Sequence, residues 1–154
     1  MDNAIIRRAV SADIEELVAM RRDFTFEDEE SQRRASRPEY EAECREFLTE
    51  AISADTWDIW VAEVSGQIVS HVYVALIDKV PRPVRANRRI GYLTNMYTRP
   101  PHRAGGIGGR LVRRAQDAAR QADVELMIAW PSEDSIAFYE RHGFKEASSG
   151  EPLI

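Results

Sequence analysis

A run of four glycines around one isoleucine, at residues 105–109, is the feature that most constrains how this chain can fold. It follows a β-prone segment at 90–98 that Pro100-Pro101 brings to an end, and it precedes an apolar pattern of helical spacing at 110–122. Glycines let successive backbone N–H groups point into one concavity, and a following helix adds the positive end of its dipole. The run therefore predicts a phosphate- or pyrophosphate-binding loop between a strand and a helix.

Two common phosphate loops do not match this run. A P-loop needs Lys-Ser or Lys-Thr after its last glycine, and Arg110-Leu111 stands there instead. A dinucleotide fingerprint that starts at Gly106 needs a glycine where Leu111 lies, and it normally follows the first strand of its domain. The pattern that fits is R-x-x-G-x-G, formed by Arg103, Gly106 and Gly108.

Length and composition narrow the class of protein. A chain of 154 residues with a net charge of −5 predicts one globular domain over residues 1–154, and a pI near 5.3 disfavours a general nucleic-acid binder. No apolar run approaches the ~20 residues that span a bilayer, and the N-terminal residues lack the apolar core of a secretory signal. Cys44 is the single cysteine, which excludes an internal disulfide. We expect a cytoplasmic protein without a membrane partner.

The first third of the chain has the pattern of one short strand and two helices. A β-prone segment at 5–10 precedes Ser11, the expected N-cap of the first helix. Pro38 is expected in the first turn of the second helix, where its missing N–H costs nothing. Cys44 lies on the apolar stripe of that helix, so we expect a packed rather than a reactive thiol.

The remaining pattern is mainly β. Two strands at 57–64 and 67–77 are split by Ser65-Gly66, which predicts a tight hairpin. After the helix at 110–122 the sequence predicts a short strand at 126–130 and a last helix that ends near His142-Gly143. Two short terminal strands are predicted at 144–147 and 152–154. This order predicts an α/β or α+β fold with a mixed sheet.

The R-x-x-G-x-G pattern resembles the coenzyme A loop of the GNAT acetyltransferase superfamily. Residues 95–98 with Pro100 resemble the strand before that loop, and Phe138-Tyr-Glu-Arg-His-Gly-Phe144 is similar to the second signature of the family. Residues 5–13 resemble its opening strand and helix start, so the resemblance covers nearly the whole chain. It implies a mostly antiparallel central sheet of six to seven strands, with two splayed parallel strands and about four flanking helices.

The resemblance also implies acetyl-CoA as cosubstrate, held between the strands at 90–98 and 126–130. The main chain of Met96 and Thr98 would pair with the pantetheine arm, the loop N–H groups would hold the pyrophosphate, and Arg103 would add charge. The implied donor-binding residues are Met96, Tyr97, Thr98, Arg103, Ala104, Gly105, Gly106, Ile107, Gly108, Gly109, Ser132 and Ser135. The two serines stand where the family often has Asn and Ala.

Tyr139 is the residue expected to take part in the chemistry. A phenol can protonate the thiolate that leaves when an amine attacks a thioester. The alternative is a packed aromatic, because Phe138 and Phe144 are its neighbours in the sequence. The resemblance further implies a backbone N–H near Tyr97 or Thr98 that stabilises the developing oxyanion.

The general base is less evident. Many family members use a glutamate on the strand before the loop, where this chain has Thr94 and Asn95. A water chain, Glu133 or Asp134 are the remaining sources, and an amine that arrives deprotonated needs none. The three histidines show no metal-ligand spacing, so we expect no metal.

The acceptor is expected to be an amine, in a small molecule or a peptide. The first two helices and the loop at 79–89 would select it. The acidic residues Glu27, Asp28, Glu29 and Glu30 are expected to be a solvated run between helices, with attraction of a cationic amine as the alternative. Two other classes stay open. A non-catalytic acyl-CoA-binding or regulatory domain fits the missing glutamate, and a nucleic-acid module would use the arginines of that loop, without interleaved stacking aromatics. Family members often form dimers, so a homodimer is allowed.

The charge is unevenly distributed along the chain. Residues 78–120 carry 11 of the 21 basic residues and 2 of the 26 acidic ones, a net +9, whereas the remaining residues carry −14. The basic segment surrounds the glycine run. Such a field suits an anionic ligand with several phosphates.

Overall fold

The computed structural model describes residues 3–28, 36–86 and 88–147. Its described residues form two compact units, one drawn from Met1–Arg8 with Thr56–Ile154 and the other from Ala9–Asp55. Glu29, Glu30 and the strand predicted at 152–154 lie outside the described residues.

The larger unit is built on a five-stranded sheet. Its strands are β1 (Ile5–Arg8), β2 (Trp57–Val64), β3 (Gln67–Ile77), β4 (Ile90–Thr98) and β5 (Leu126–Ala129). They lie in sequence order, with antiparallel pairing as far as β4 and parallel pairing between β4 and β5. The mixed, mostly antiparallel sheet is confirmed.

The number of strands is smaller than expected. The described residues contain five strands rather than six to seven, and residues 144–147 form neither strand nor helix. Gly143 has φ +87°, and the N–H of Phe144 donates to the carbonyl of Tyr139 at 3.1 Å. The backbone at Phe144 therefore closes the end of the preceding helix instead of starting a strand ladder.

The predicted hairpin between β2 and β3 is confirmed. Ser65 and Gly66 have φ +51° and +80°, the left-handed pair that a two-residue turn needs to match the twist of its strands. The pairing of β2 with β3 shifts by one residue near Ala62, close to this turn.

Two helices belong to the same unit, α3 (Ile107–Gln121) and α4 (Ile136–Arg141). The buried positions of α3 recur every three or four residues and join one cluster with side chains of the sheet. The cluster includes Ile107, Leu111, Val112, Ala115 and Ala118 from α3 with Trp60, Val72, Val74, Leu93 and Met127 from the strands. Burial of Ile107 fixes the first turn of α3, and with it the position of the glycine run.

The second unit contains α1 (Ile14–Asp28) and α2 (Tyr40–Ser53). The prediction that Ser11 is the N-cap was wrong, because Val10 holds that position. The Val10 N–H donates to the carboxylate of Asp13 at 2.8 Å, and the Asp13 N–H donates to the Val10 carbonyl at 2.9 Å. The hydroxyl of Tyr40 donates to the carbonyl of Val18 at 2.9 Å and ties α2 to α1. Among the described residues no helix is long and apolar enough to cross a membrane.

Candidate functional site

Strands β4 and β5 separate where the candidate site begins. Their parallel pairing runs from Ile90 with Leu126 to Leu93 with Ala129, and β4 then continues for five residues to Thr98. Because β5 ends at Ala129, the edge of β4 beyond Leu93 has no β5 residue paired with it, and this is the gap beside β4. The pair β4 and β5 corresponds to the two splayed parallel strands that the resemblance implies.

The register of β4 determines which backbone groups face that gap. Arg99 N–H donates to the Val69 carbonyl at 2.8 Å, so Tyr97, two residues earlier, also turns its peptide groups toward β3. The carbonyl of Tyr97 accepts from Ser70 Oγ at 2.8 Å, which agrees with that direction. Thr98 consequently presents its backbone to the opposite edge, where Arg103 Nε donates to its carbonyl at 2.9 Å.

The strand also contains a bulge. The register with β3 slips by one residue between His71 and Tyr73, so that Asn95 and Met96 together oppose one residue of β3. Asn95 has φ +50°, a left-handed conformation that asparagine tolerates better than most residues. The bulge lies two residues beyond the last β4–β5 pair.

The glycine run follows directly. A 3₁₀ turn at Pro100–His102 leads into Ala104 and Gly106, whose φ values are +64° and +81°. Arg110 N–H donates to the Gly106 carbonyl at 3.1 Å, so Gly106 is the N-cap of α3. The first N–H groups of α3 belong to the glycine run itself. They have no intrahelical acceptor and point out of the end of the helix.

A cavity of about 430 Å³ lies on this loop. Its lining residues are Thr98, His102, Arg103, Ala104, Gly106, Gly108, Gly109, Arg113, Phe138, Arg141 and His142. Six of them were predicted from the sequence. Gly108 brings the loop against β4, because a Cβ there would lie 2.9 Å from Met96 Cε.

Several lining residues were missed by sequence reasoning. Arg113 lies one turn after Gly109 on α3, a spacing that could have indicated it, whereas Arg141 and His142 come from α4 and its end. Within residues 3–28, 36–86 and 88–147, Arg113 and Arg141 have no carboxylate partner. The cavity therefore has a cationic rim beside a helix N-terminus, which suits a phosphorylated ligand.

Not all predicted residues meet in this cavity. Ile107 is buried in the core, and Ser132 and Ser135 bond to each other through their hydroxyls at 2.9 Å. Gly105 is exposed on the loop. Glu133 and Asp134 are exposed in a 3₁₀ turn before α4.

Tyr139 lines a second cavity, of about 340 Å³, between the end of β5 and α4. Its side chain is 9% exposed, and its ring makes edge contacts with Phe138 and Phe144 at centroid distances of 5.3 and 5.4 Å. Burial raises the pKa of the Tyr139 phenol to about 12, with a smaller contribution from Tyr92. The phenol is thus a protonated hydrogen-bond donor at neutral pH.

Comparison with known proteins agrees with this geometry. A family model described as an acetyltransferase (GNAT) domain matches residues 55–146. Glucosamine 6-phosphate N-acetyltransferase of Trypanosoma brucei brucei is 25% identical over 87 residues, which are 56% of this chain and 57% of that protein. The chain therefore spans little more than half the length of this relative.

Solved structures match nearly the whole chain. A predicted acetyltransferase with acetyl-CoA from Clostridium acetobutylicum is 25% identical, with a TM-score of 0.76 over 98% of this chain and 96% of that one. Glucosamine-6-phosphate N-acetyltransferase from Arabidopsis thaliana is 18% identical, with a TM-score of 0.75 over 99% and 98% of the two chains. The second likeness is one of fold.

Proposed function

Because the chain belongs to the GNAT acetyltransferase family, we propose that it moves an acetyl group from acetyl-CoA to a primary amine by direct attack in a ternary complex. The observation that carries the proposal is the order of parts along the chain. A strand that diverges from its parallel neighbour leads within a few residues into a glycine loop and a cationic cavity. A long donor with a phosphorylated end and a thioester end requires this sequence of binding sites.

The residues present fit a coenzyme A donor. The backbone carbonyl of Met96 and the backbone groups of Thr98 would pair with the pantetheine amides. The Arg103 guanidinium, which donates to the Thr98 carbonyl, would turn to the ligand instead. The N–H groups from Ala104 to Gly109 would hold the pyrophosphate. Arg113 and Arg141 would add charge to the same cavity.

Tyr139 is proposed as the proton donor to the leaving thiolate. The acceptor nitrogen bonds to the acetyl carbon, the carbon–sulfur bond breaks, and the phenol of Tyr139 gives its proton to the departing sulfur. The proton that the amine loses passes to water, and a proton from water returns the Tyr139 phenolate to its neutral form. Burial, which raises the pKa of this phenol to about 12, is compatible with the role, because the phenol carries the proton that it would give. Phe138, the preceding residue, lines the cavity on the glycine loop, so one turn of α4 borders both cavities.

The amine must lose its proton without a strand glutamate. Thr94 and Asn95 supply no base, and Glu133 and Asp134 are exposed near the start of α4. We propose that the amine arrives deprotonated or passes its proton to water. An acceptor with a low amine pKa, such as an amino sugar, suits this route better than an alkyl amine does.

Amino sugar phosphates are the first acceptors to test. Two relatives named above are glucosamine 6-phosphate N-acetyltransferases, and their acceptor carries one amine and one phosphate. Amino acids, polyamines, aminoglycosides and peptide N-termini complete the panel. The choice among them is a proposal about the acceptor only and leaves the donor unchanged.

A thiol-release assay tests the proposed function. The purified chain is mixed with acetyl-CoA and each amine, free CoA is followed with a thiol reagent, and donor binding is measured by titration calorimetry. Release of CoA that depends on one class of amine supports the enzyme. Tight binding of acetyl-CoA without turnover on any amine would instead support a non-catalytic acyl-CoA-binding domain.

A further inference from the structure

His71 is a buried histidine in the middle strand of the sheet, and it does not line the cavity on the glycine loop. It lies on β3 with no exposed surface, and alternation along the strand directs it away from Val72, which joins the core cluster with α3. Its ring is 5.2 Å from that of Tyr73 and 5.8 Å from that of Tyr97. An imidazole that is enclosed in this way cannot reach a substrate directly, so any role in the reaction is exerted through a neighbour.

That neighbour is the bulge of β4. His71 Nδ1 lies 2.8 Å from the carbonyl oxygen of Asn95, and because a carbonyl only accepts, Nδ1 carries the proton. Asn95 is the bulge residue with φ +50°. The carbonyl of Asn95 is therefore held by a side chain of β3, and its direction is set by the position of His71.

The direction of that carbonyl also fixes an N–H. The described peptide bonds contain no cis bond, and in a trans peptide the C=O and the next N–H point in opposite directions. With the Asn95 carbonyl turned to His71, the Met96 N–H points away from it. Tyr97 faces β3, so Met96 faces the opposite edge, which is the gap where β4 has left β5.

We propose that His71 is a positioning residue, which holds the Asn95–Met96 peptide so that the Met96 N–H donates to the carbonyl oxygen of a bound thioester. The inference rests on the proposed function, because it places an acyl-CoA thioester in the gap between β4 and β5. A donor that is fixed before the reaction stabilises the charge that develops on this oxygen when the amine attacks. It also distinguishes acetyl-CoA, which has the carbonyl, from CoA, which lacks it.

A matched pair of variants at one position tests the proposal. His71→Phe keeps an aromatic ring of similar size and removes the donor, whereas His71→Asn keeps an N–H donor close to the position of Nδ1. The readout is the ratio of the dissociation constants for CoA and acetyl-CoA, measured by calorimetry without any acceptor. One hydrogen bond predicts about 2- to 10-fold tighter binding of acetyl-CoA by the wild type, a ratio near one for His71→Phe, and recovery in His71→Asn.

Asn95 provides a second route that leaves the core intact. Asn95→Val disfavours the positive φ of the bulge, and Asn95→Gly allows it. We expect Asn95→Val to lose the preference for acetyl-CoA and Asn95→Gly to keep it, with thermal unfolding as the check on folding. This pair decides the question if His71→Phe does not fold.

The outcomes separate the two proposals. Failure of the wild type to bind either CoA or acetyl-CoA would overturn the proposed function and this inference together. Binding of both with an unchanged ratio in folded His71→Phe or Asn95→Val would overturn the positioning role alone. A uniform loss of CoA and acetyl-CoA affinity in these variants would do the same, because it indicates general damage to the site.

Discussion

Gly109 on α3 and His142 at the end of α4 are in direct contact across the cavity on the glycine loop. A Cβ on Gly109 would lie 2.6 Å from His142 Nε2. The imidazole cannot easily move aside, because its Nδ1 donates to the Phe138 carbonyl at 2.7 Å and its ring packs on that of Phe138. The contact couples the second glycine pair of the loop to the helix that carries Tyr139.

Gly109→Ala is expected to destabilise the fold and weaken donor binding. Forcing one methyl group into a filled contact costs about 1–3 kcal/mol, and the loop N–H groups move with the backbone. Chemical denaturation and CoA titration measure the two effects. In a His142→Ala background the same substitution should cost much less, and an undiminished cost there would show that the imidazole is not what the methyl group meets.

Replacing Arg113 or Arg141 by Gln should weaken CoA binding by about 2- to 5-fold each at low ionic strength, because exposed cations contribute modestly to an anion site. The loss should shrink as salt is added. Arg120→Gln is the matched control, since Arg120 lies on the same helix and pairs with Asp117. Equal losses in all three variants would indicate a diffuse field rather than a site at this cavity.

The sequence predicted the elements of the larger unit well because their signals are local. The bounds of β4 and the turn at Ser65-Gly66 follow from alternation and from glycine chemistry. The bulge at Asn95 could not be predicted, because it depends on a hydrogen bond from His71, 24 residues earlier in the chain. Arg141 reaches the loop only through tertiary packing, and the residues next to it in the sequence do not indicate that it lines this cavity.

The difference between local signals and tertiary packing also decides which site residues the sequence predicted. The residues that share the loop, such as Arg103 and Gly106, meet in one cavity because they are adjacent in sequence. Tyr139 borders a different cavity, and the hydroxyl of Ser132 bonds to that of Ser135. Motif spacing therefore predicted which residues meet on the glycine loop better than it predicted the surroundings of Tyr139 and Ser132.

Tyr139→Phe should lower kcat by about 10²-fold or more with unchanged affinity for acetyl-CoA, in line with the loss of an acid–base group. The ring keeps its contacts with Phe138 and Phe144, so stability should change little. Single-turnover rates with saturating donor and amine measure the effect. Wild-type turnover in this variant would remove Tyr139 from the mechanism and leave it a packed aromatic.

The pH dependence of that difference tests whether the phenol acts in its protonated form. Burial raises the pKa of Tyr139 to about 12 from the ordinary value near 10, so the proton is present at every pH well below 12 and is lost only as the pH rises through that value. The ratio of wild-type kcat to that of Tyr139→Phe should therefore stay constant from pH 7 to about pH 10. Ionisation of the amine or of other groups affects both proteins alike and cancels in the ratio. A ratio that falls toward one below about pH 10 would mean that the phenol ionises at or below its ordinary pKa, and the proton for the departing thiolate would then have to come from another group.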